Sequence, residues 1–235
     1  IRDRVKATLL EKLVCMCAMK FAALDAWGCG IEMEGGRPGW YDALNGLPAL
    51  FGSSVTEAME LLRHLRFLKV SLRRYGGKVS LPGPHYMLLM RLKQSVEDIP
   101  EYTGNTVLVD FWNSSKSALE HCREEVYTQG AWDYADCQAE QLAEMLDTWA
   151  NFLGQRLALC RGENGVMPTY CRHRVKMDQG TPSFEKCDMP LFLESSVRDM
   201  RLCESEQKRE KLFEAVHRSE LFDGKLGMYR VNQAL

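Results

Sequence analysis

The chain has 235 residues, of which 46% are hydrophobic and 26% are charged, close to the averages for globular proteins. Its 30 Lys and Arg residues nearly balance its 32 Asp and Glu residues, so composition gives no support to a nucleic-acid or anionic-membrane binder. Charged residues interrupt every apolar stretch before it reaches the roughly 18 residues that a membrane span needs. We therefore expect a soluble protein that binds neither nucleic acid nor membranes.

Apolar residues recur every three or four positions along most of the chain, which predicts amphipathic helices. The longest such patterns cover residues 4–24, 53–76, 85–96, 113–130 and 136–160, and shorter ones cover 195–204 and 207–219. Ser53 and Ser54 are candidate N-caps of the second helix, with Glu57 three residues later. Only residues 106–111 and 166–175 resemble strands, too few to build a sheet. The fold class that we predict is all-α, an array of helix hairpins.

Two long segments, residues 25–52 and 162–192, interrupt the predicted helices. Loops of this length in a compact domain are usually functional or disordered. Aromatic residues argue against disorder in the first segment, and its glycines let the backbone approach a ligand closely. The second segment is either a border of a substrate cleft or a surface crossing between hairpins, and its polar and aromatic candidates are Tyr170, Arg172, His173, Arg174 and Asp178.

The first segment combines carboxylates, flat aromatic rings and an amide: Glu32, Glu34, Asp42, Trp40, Tyr41 and Asn45. Proteins bind sugars with such groups, because sugar rings stack on Trp or Tyr while carboxylates and amides bind the hydroxyls. Cleavage of a glycosidic bond also needs a carboxylic acid whose pKa is raised by apolar surroundings. Asp42 has the most apolar neighbours of the three carboxylates. A packed turn whose carboxylates cap helix ends would explain the same composition.

The run GIEMEGGRPGWYDALNGLPALFGSS (residues 30–54) resembles a signature of large bacterial proteins related to cellobiose phosphorylase. DMPLFLE (residues 188–194) and MYRVN (residues 228–232) resemble later segments of the same proteins. These proteins belong to the six-hairpin glycosidase group, whose catalytic domain is an (α/α)6 barrel. The resemblance implies that residues 1–235 are the C-terminal part of such a domain, with Asp42 as the general acid in a loop at the barrel mouth.

The resemblance further implies a glycoside phosphorylase or hydrolase, of inverting type, that acts on a β-linked glucan or oligosaccharide. Trp40 and Tyr41 would form the stacking surface, and the residues that would bind polar groups are Glu32, Glu34, Arg37 and Asn45. An inverting hydrolase needs a second carboxylate to activate water, for which Glu32 and Glu34 are candidates. A phosphorylase instead takes inorganic phosphate as its co-substrate, and the candidates for binding it are Arg37, Ser53 and Ser54.

A different class of function remains open, a non-catalytic α-helical domain that binds a partner or a sugar. In that case Asp42 would cap a helix inside a packed loop. The chain starts with Ile and shows no signal-peptide pattern, so we expect the N-terminal portion of the same polypeptide to be missing. A trimmed but otherwise complete protein is the alternative.

Nine cysteines are present, and no Cys-x-x-Cys pair occurs among them. The five histidines also lack metal-ligand spacing, so we predict no metal site and no cofactor. Most thiols lie among apolar residues, as Cys15 and Cys17 do, where cysteine behaves as a small core residue. The pattern favours reduced thiols in a cytoplasmic protein.

Residues 61–80 contain six basic residues and no acidic one. Their spacing places them along one face of the second helix, which can bind phosphate or RNA. The favoured interpretation is a solvated helix face opposite the acidic residues of the fifth helix: Asp136, Glu140, Glu144 and Asp147.

Overall fold

The computed structural model describes residues 7–33, 52–99, 107–129, 133–187 and 189–233. The helices in these ranges are α1 (Leu9–Ala22), α2 (Val55–Tyr75), α3 (Gly83–Glu97), α4 (Val109–Thr128), α5 (Ala139–Leu159), α6 (Leu193–Leu202) and α7 (Glu206–Arg218). The strands are β1 (Ile31–Glu32), β2 (Gly52–Ser54), β3 (Lys78–Pro82), β4 (Tyr134–Gln138), β5 (Tyr170–Asp178), β6 (Thr181–Cys187), β7 (Phe222–Asp223) and β8 (Met228–Tyr229).

The fold is mixed α/β, so the prediction of an all-α hairpin array forming part of an (α/α)6 barrel is wrong. Each predicted helix is present, but the strands form three antiparallel sheets, of which the largest has four strands in the order β1-β2-β5-β6. Strands β1, β5 and β6 lie in the two segments predicted as loops, and β5 overlaps the stretch 166–175 that resembles a strand. Strand β2 joins the end of the first segment to Ser53 and Ser54, which were predicted to begin the second helix. Residues 136–138, predicted as helical, belong to β4, and residues 109–111, which resemble a strand, begin α4. Short strands of this kind become stable only when distant partners pair with them.

The chain divides into two compact units. The first unit contains α1, α3, β3, β4 and most of α2, α4 and α5. Its core holds an aromatic cluster in which the Phe21 ring stacks on Trp149 with 4.4 Å between centroids. Phe111 and Phe152 contact Phe21 edge-on at 6.1 and 5.8 Å. Burial of these large apolar rings supplies much of the driving force for packing α1, α4 and α5 together.

The basic face of α2 pairs with acidic residues, which confirms the favoured interpretation of that stripe. Lys69 forms an ion pair with Asp147 at 2.7 Å, and Arg73 pairs with Glu140 at 3.1 Å. At the start of β3, Lys78 lies 3.8 Å from the Asp136 carboxylate in β4. These three basic side chains therefore form ion pairs with carboxylates of the first unit.

The second unit contains the four-stranded sheet, α6, α7 and the small β7–β8 hairpin. Strands β5 and β6 are joined by Gln179 and Gly180, and both residues have positive φ, as a two-residue hairpin turn of type I′ requires. Val166, Leu212, Val216 and Leu221 form a buried apolar cluster in this unit. At the start of α2, the Ser54 hydroxyl accepts the Glu57 N–H at 3.2 Å, so Ser54 is the predicted cap.

No helix in the described ranges is both long and apolar enough to cross a membrane.

We expect Phe21→Ala to lower the free energy of unfolding by about 3–5 kcal/mol, because a fully buried ring in contact with three other rings would be lost. The matched control is Phe67→Ala in α2, where the ring is 62% exposed. We expect this change to alter the free energy of unfolding by less than about 0.5 kcal/mol. Urea denaturation of both variants measures the difference, and similar losses would contradict the aromatic core.

Candidate functional site

The candidate site begins at a tight turn that leads into β1. The Asp25 N–H donates to the Gly30 carbonyl at 2.8 Å, and the Gly28 N–H donates to the Asp25 carbonyl at 2.8 Å. One carboxylate oxygen of Asp25, Oδ1, accepts the N–H groups of Trp27 and Cys29 at 3.0 and 3.1 Å. A short acidic side chain that binds the amides following it is a common way to fix a turn. Asp25 therefore determines the course of the backbone just before β1.

The other carboxylate oxygen of Asp25 joins this turn to β2 and β5. The Ser53 hydroxyl donates to Asp25 Oδ2 at 2.6 Å. His173 Nε2 lies 3.5 Å from Ser53 Oγ and 3.7 Å from Asp25 Oδ2. The exposed fractions of Asp25, Ser53 and His173 are 0%, 0% and 5%. We call these three residues the buried triad.

Arg156 and Trp27 complete the surroundings of the triad. Arg156, near the end of α5, is buried and donates from Nε to the Trp27 carbonyl at 2.6 Å. Burial lowers the pKa of Arg156, and the nearby Asp25 carboxylate opposes this effect. The Trp27 ring lies 4.7 Å from the His173 ring, between centroids. A buried carboxylate is thus surrounded by hydrogen-bond donors and a guanidinium, as the burial of charge requires.

Gly30 is required by the close approach of the backbone to the triad. A Cβ atom at this position would lie 2.3 Å from Ser53 Oγ and 2.9 Å from Asp25 Oδ2. Both distances are shorter than van der Waals contact, so any other residue would displace the hydrogen-bonded pair. The glycine in the quoted motif therefore has a packing role.

The buried triad is not a nucleophilic site, although it contains the residue types of a serine hydrolase. A nucleophilic serine donates to the histidine and is exposed to substrate, whereas the Ser53 hydroxyl donates to the carboxylate and is sealed from solvent. The arrangement therefore fixes the positions of β1, β2 and β5 relative to one another.

The same geometry corrects the prediction that Ser53 and Ser54 bind phosphate. The Ser53 hydroxyl is used by Asp25, and the Ser54 hydroxyl caps α2 and lies 2.9 Å from Thr56 Oγ1. Both serines are buried. Neither hydroxyl is available to a ligand.

Of the residues predicted to donate the proton or to bind the sugar, Glu32 lies within the described structure. Glu32 is half-buried in β1 and pairs in register with Ser53 of β2, next to the hydrogen bond from the Met33 N–H to the Gly52 carbonyl at 3.1 Å. Met33 and Gly52, the described residues on either side of positions 34–51, thus lie next to each other. The other predicted site residues lie outside the described residues: Glu34, Arg37, Trp40, Tyr41, Asp42 and Asn45.

The candidate residues of the second long segment, 162–192, differ in their burial along β5. Tyr170 and His173 are buried, whereas Arg172 and Arg174 are exposed. The side chain of Asp178 lies outside the described residues. This segment is a sheet strand rather than a plain surface crossing, and it contributes His173 to the triad.

A disulfide joins Cys29 of the turn to Cys160, which follows α5. The prediction that the cysteines are reduced is therefore wrong for this pair. Cys17 is fully buried, as the sequence predicts, whereas Cys15 is half-buried, and burial raises the pKa of each thiol to about 12. Within the described ranges, no group of His, Cys, Asp and Glu side chains is arranged to hold a metal ion.

No protein-family model matches the chain, and no curated protein matches its sequence. Evidence on function therefore comes from the residue types of the motif at positions 30–54 and from the geometry of the second unit. Sequence reasoning missed the triad because Ser53 and His173 are 120 residues apart. The only local signal was Asp25 at a turn before a glycine-rich stretch.

We expect Ser53→Ala to lower the free energy of unfolding by about 1–3 kcal/mol, because it leaves one oxygen of a buried carboxylate without its donor. Ser80→Ala is the matched control, since Ser80 donates to Asp136 at the same 2.6 Å but on the surface. We expect Ser80→Ala to change the free energy of unfolding by less than about 0.5 kcal/mol. Equal effects in urea denaturation would show that the triad does not stabilise the sheet.

Proposed function

We propose that the chain is a carbohydrate-active domain that cleaves a glycosidic bond in a β-linked glucan or oligosaccharide. Asp42 is the general acid that protonates the leaving oxygen as the bond from C1 to that oxygen breaks. Trp40 and Tyr41 stack on the sugar, and the polar groups of the sugar are bound by Glu32, Glu34, Arg37 and Asn45. The residue chemistry of the motif and its resemblance to cellobiose-phosphorylase-like proteins support this proposal.

One structural observation carries the proposal further. Strands β1 and β2 pair at Ile31–Ser54 and at Glu32–Ser53, so the described residues that flank the segment containing Asp42 belong to the same sheet. The buried triad lies beneath this pairing and ties it to β5. Catalytic segments need such support, because a proton donor acts only when it is held within hydrogen-bond reach of its target.

Glu32 is the proposed sugar-binding residue that the structure describes. It lies at the last position of β1 and is half-buried. This placement suits a carboxylate that accepts hydrogen bonds from sugar hydroxyls. The nucleophile is water or inorganic phosphate arriving on the opposite face of the sugar ring, which gives inversion at C1. With Ser53 and Ser54 used internally, Arg37 remains as the local candidate for binding phosphate.

We expect Asp42→Asn to reduce turnover of the glycan by about 100-fold to 10,000-fold, because an amide cannot supply the proton. The intact protein is incubated with a panel of β-linked gluco-oligosaccharides, with and without inorganic phosphate. Free reducing sugar and sugar 1-phosphate are both quantified. Asp98→Asn is the matched control, since Asp98 is exposed and bonded to Gln94, and its turnover should equal that of the wild type.

An activated substrate distinguishes lost proton donation from lost folding. A dinitrophenyl β-glucoside has a leaving group that departs without protonation, so Asp42→Asn should turn it over at nearly the wild-type rate. A loss below about threefold on the natural linkage contradicts the role of Asp42. Absence of turnover by the wild type across the panel, together with measurable binding of an oligosaccharide, favours the non-catalytic sugar-binding function.

A further inference from the structure

The second unit contains a cavity whose lining residues belong to positions 159–233 of the chain. It has a volume of about 580 Å³ and is bordered by the end of α5, by β5 and β6, and by the start of the segment after β6. This volume is within the range of small-molecule sites. Its wall includes Cys160 and the ammonium-bearing Lys186. Neither residue has a role in the proposed glycoside chemistry.

The disulfide presents only one of its two sulfurs to this cavity. Cys160 lines the cavity and is 7% exposed, whereas its partner Cys29 is 0% exposed and lies within the Asp25–Gly30 turn. An attacking thiolate approaches one sulfur of a disulfide and expels the other. Because only Cys160 can be reached from the cavity, the incoming thiolate attacks the sulfur of Cys160 and releases Cys29 as the thiol.

Lys186 lies beside the accessible sulfur. Its Nζ contacts Cys160 Sγ at 3.4 Å, and it forms no ion pair with any carboxylate in the part of the chain that the structure describes. A positive charge next to a disulfide attracts an incoming thiolate and stabilises the thiolate that forms. The position of Lys186 thus favours exchange at Cys160.

An internal thiol is not the attacking group. Cys171 also lines the cavity and lies close to Lys186, but burial raises the pKa of Cys171 to about 11, although Lys186 opposes this. A thiol with such a pKa is almost entirely protonated near neutral pH, and the thiolate is the nucleophile. The attacking thiol must therefore enter from solvent.

The charges of the cavity wall favour an acidic ligand. Arg161 and Arg218 line the wall together with Lys186, and Glu220 is the acidic residue among the lining side chains that the structure describes. Arg161 is bonded to Asp199 at 2.6 Å, and Arg218 to Glu214 at 2.6 Å. Lys186 is thus the cation whose charge is not used by a carboxylate among the described residues.

We propose that this cavity is a thiol–disulfide exchange site, at which an anionic low-molecular-weight thiol forms a mixed disulfide with Cys160. The thiolate sulfur forms a bond to Cys160 Sγ while the Cys160–Cys29 bond breaks. The electron pair of that bond moves to Cys29, which takes up the proton that the incoming thiol has lost. A second thiol molecule then releases the symmetrical disulfide and leaves Cys160 as a free thiol. The external thiol is the reductant and no other co-reactant is needed.

Exchange would remove the covalent link between the end of α5 and the turn that precedes β1. The hydrogen bonds of Asp25 and of Arg156 to this turn would remain. This consequence does not depend on the proposed glycoside chemistry, because the exchange involves no residue of segment 34–51.

The test uses the full chain, oxidised and purified, and three probes: glutathione (anionic), 2-mercaptoethanol (neutral) and cysteamine (cationic). Intact mass follows the rate of adduct formation, and peptide mapping locates the adduct. We expect the adduct on Cys160 with Cys29 as a free thiol. Per unit of thiolate, glutathione should react faster than 2-mercaptoethanol by about fivefold, the effect of one unit charge at about 4 Å even in water, and cysteamine should react more slowly than either.

Lys186→Gln should reduce this charge preference by about fivefold. Lys176→Gln is the matched control, because Lys176 lies on the same hairpin but is exposed and paired with Glu185 at 3.2 Å. It should leave the preference unchanged. The charge preference is the ratio of two rates measured on the same variant, so partial loss of folding changes both rates alike and leaves their ratio the same. The proposal is overturned if Cys29 and Cys160 are unpaired in the oxidised protein, if the adduct lies on Cys29 or Cys171, or if both lysine variants behave alike.

Discussion

The buried Asp25 carboxylate is the constraint on which the sheet of the second unit depends. It accepts two amides of its own turn and the hydroxyl of Ser53, which is 28 residues away, and the Arg156 guanidinium lies near it. An unpaired charge at this depth would cost several kcal/mol. The structure is therefore stable only when β1 and β2 take positions that satisfy this carboxylate. Gly30 makes that approach possible, since any side chain there would clash with the pair.

The turn that contains Asp25 is fixed to the rest of its unit by contacts with three partners. Hydrogen bonds connect it to Ser53, Arg156 holds the Trp27 carbonyl, and the Cys29 disulfide attaches it to the residue following α5. The turn precedes the strand from which segment 34–51 begins. Chemistry proposed for that segment thus has a rigid base, while the disulfide is the one attachment that a change in redox conditions can remove.

Helices were predictable from sequence because their signal is local. The three-and-four periodicity of α2, the Ser54 cap and the terminal Gly76 are all read within one window of the chain, and the structure has them. Of the four-stranded sheet, only β5 was indicated, by the strand-like stretch 166–175. Strand β2 was not predictable, because it has three residues and becomes a strand only by pairing with β5 more than a hundred positions away. The triad and the disulfide were not predictable for the same reason, because their residues are far apart in sequence and meet only in the folded chain.

Sequence by itself determined the helix positions, the acidic partners of the basic stripe and the chemical character of segment 34–51. These properties follow from side-chain order along one stretch, or from charge sign on neighbouring helices. Only the tertiary structure decided that the fold is mixed α/β, that Ser53 and Ser54 serve the interior, and that Lys186 faces a disulfide. Those outcomes depend on which residues, distant in sequence, come together in the interior. There each polar or charged group needs a hydrogen-bond or ion-pair partner.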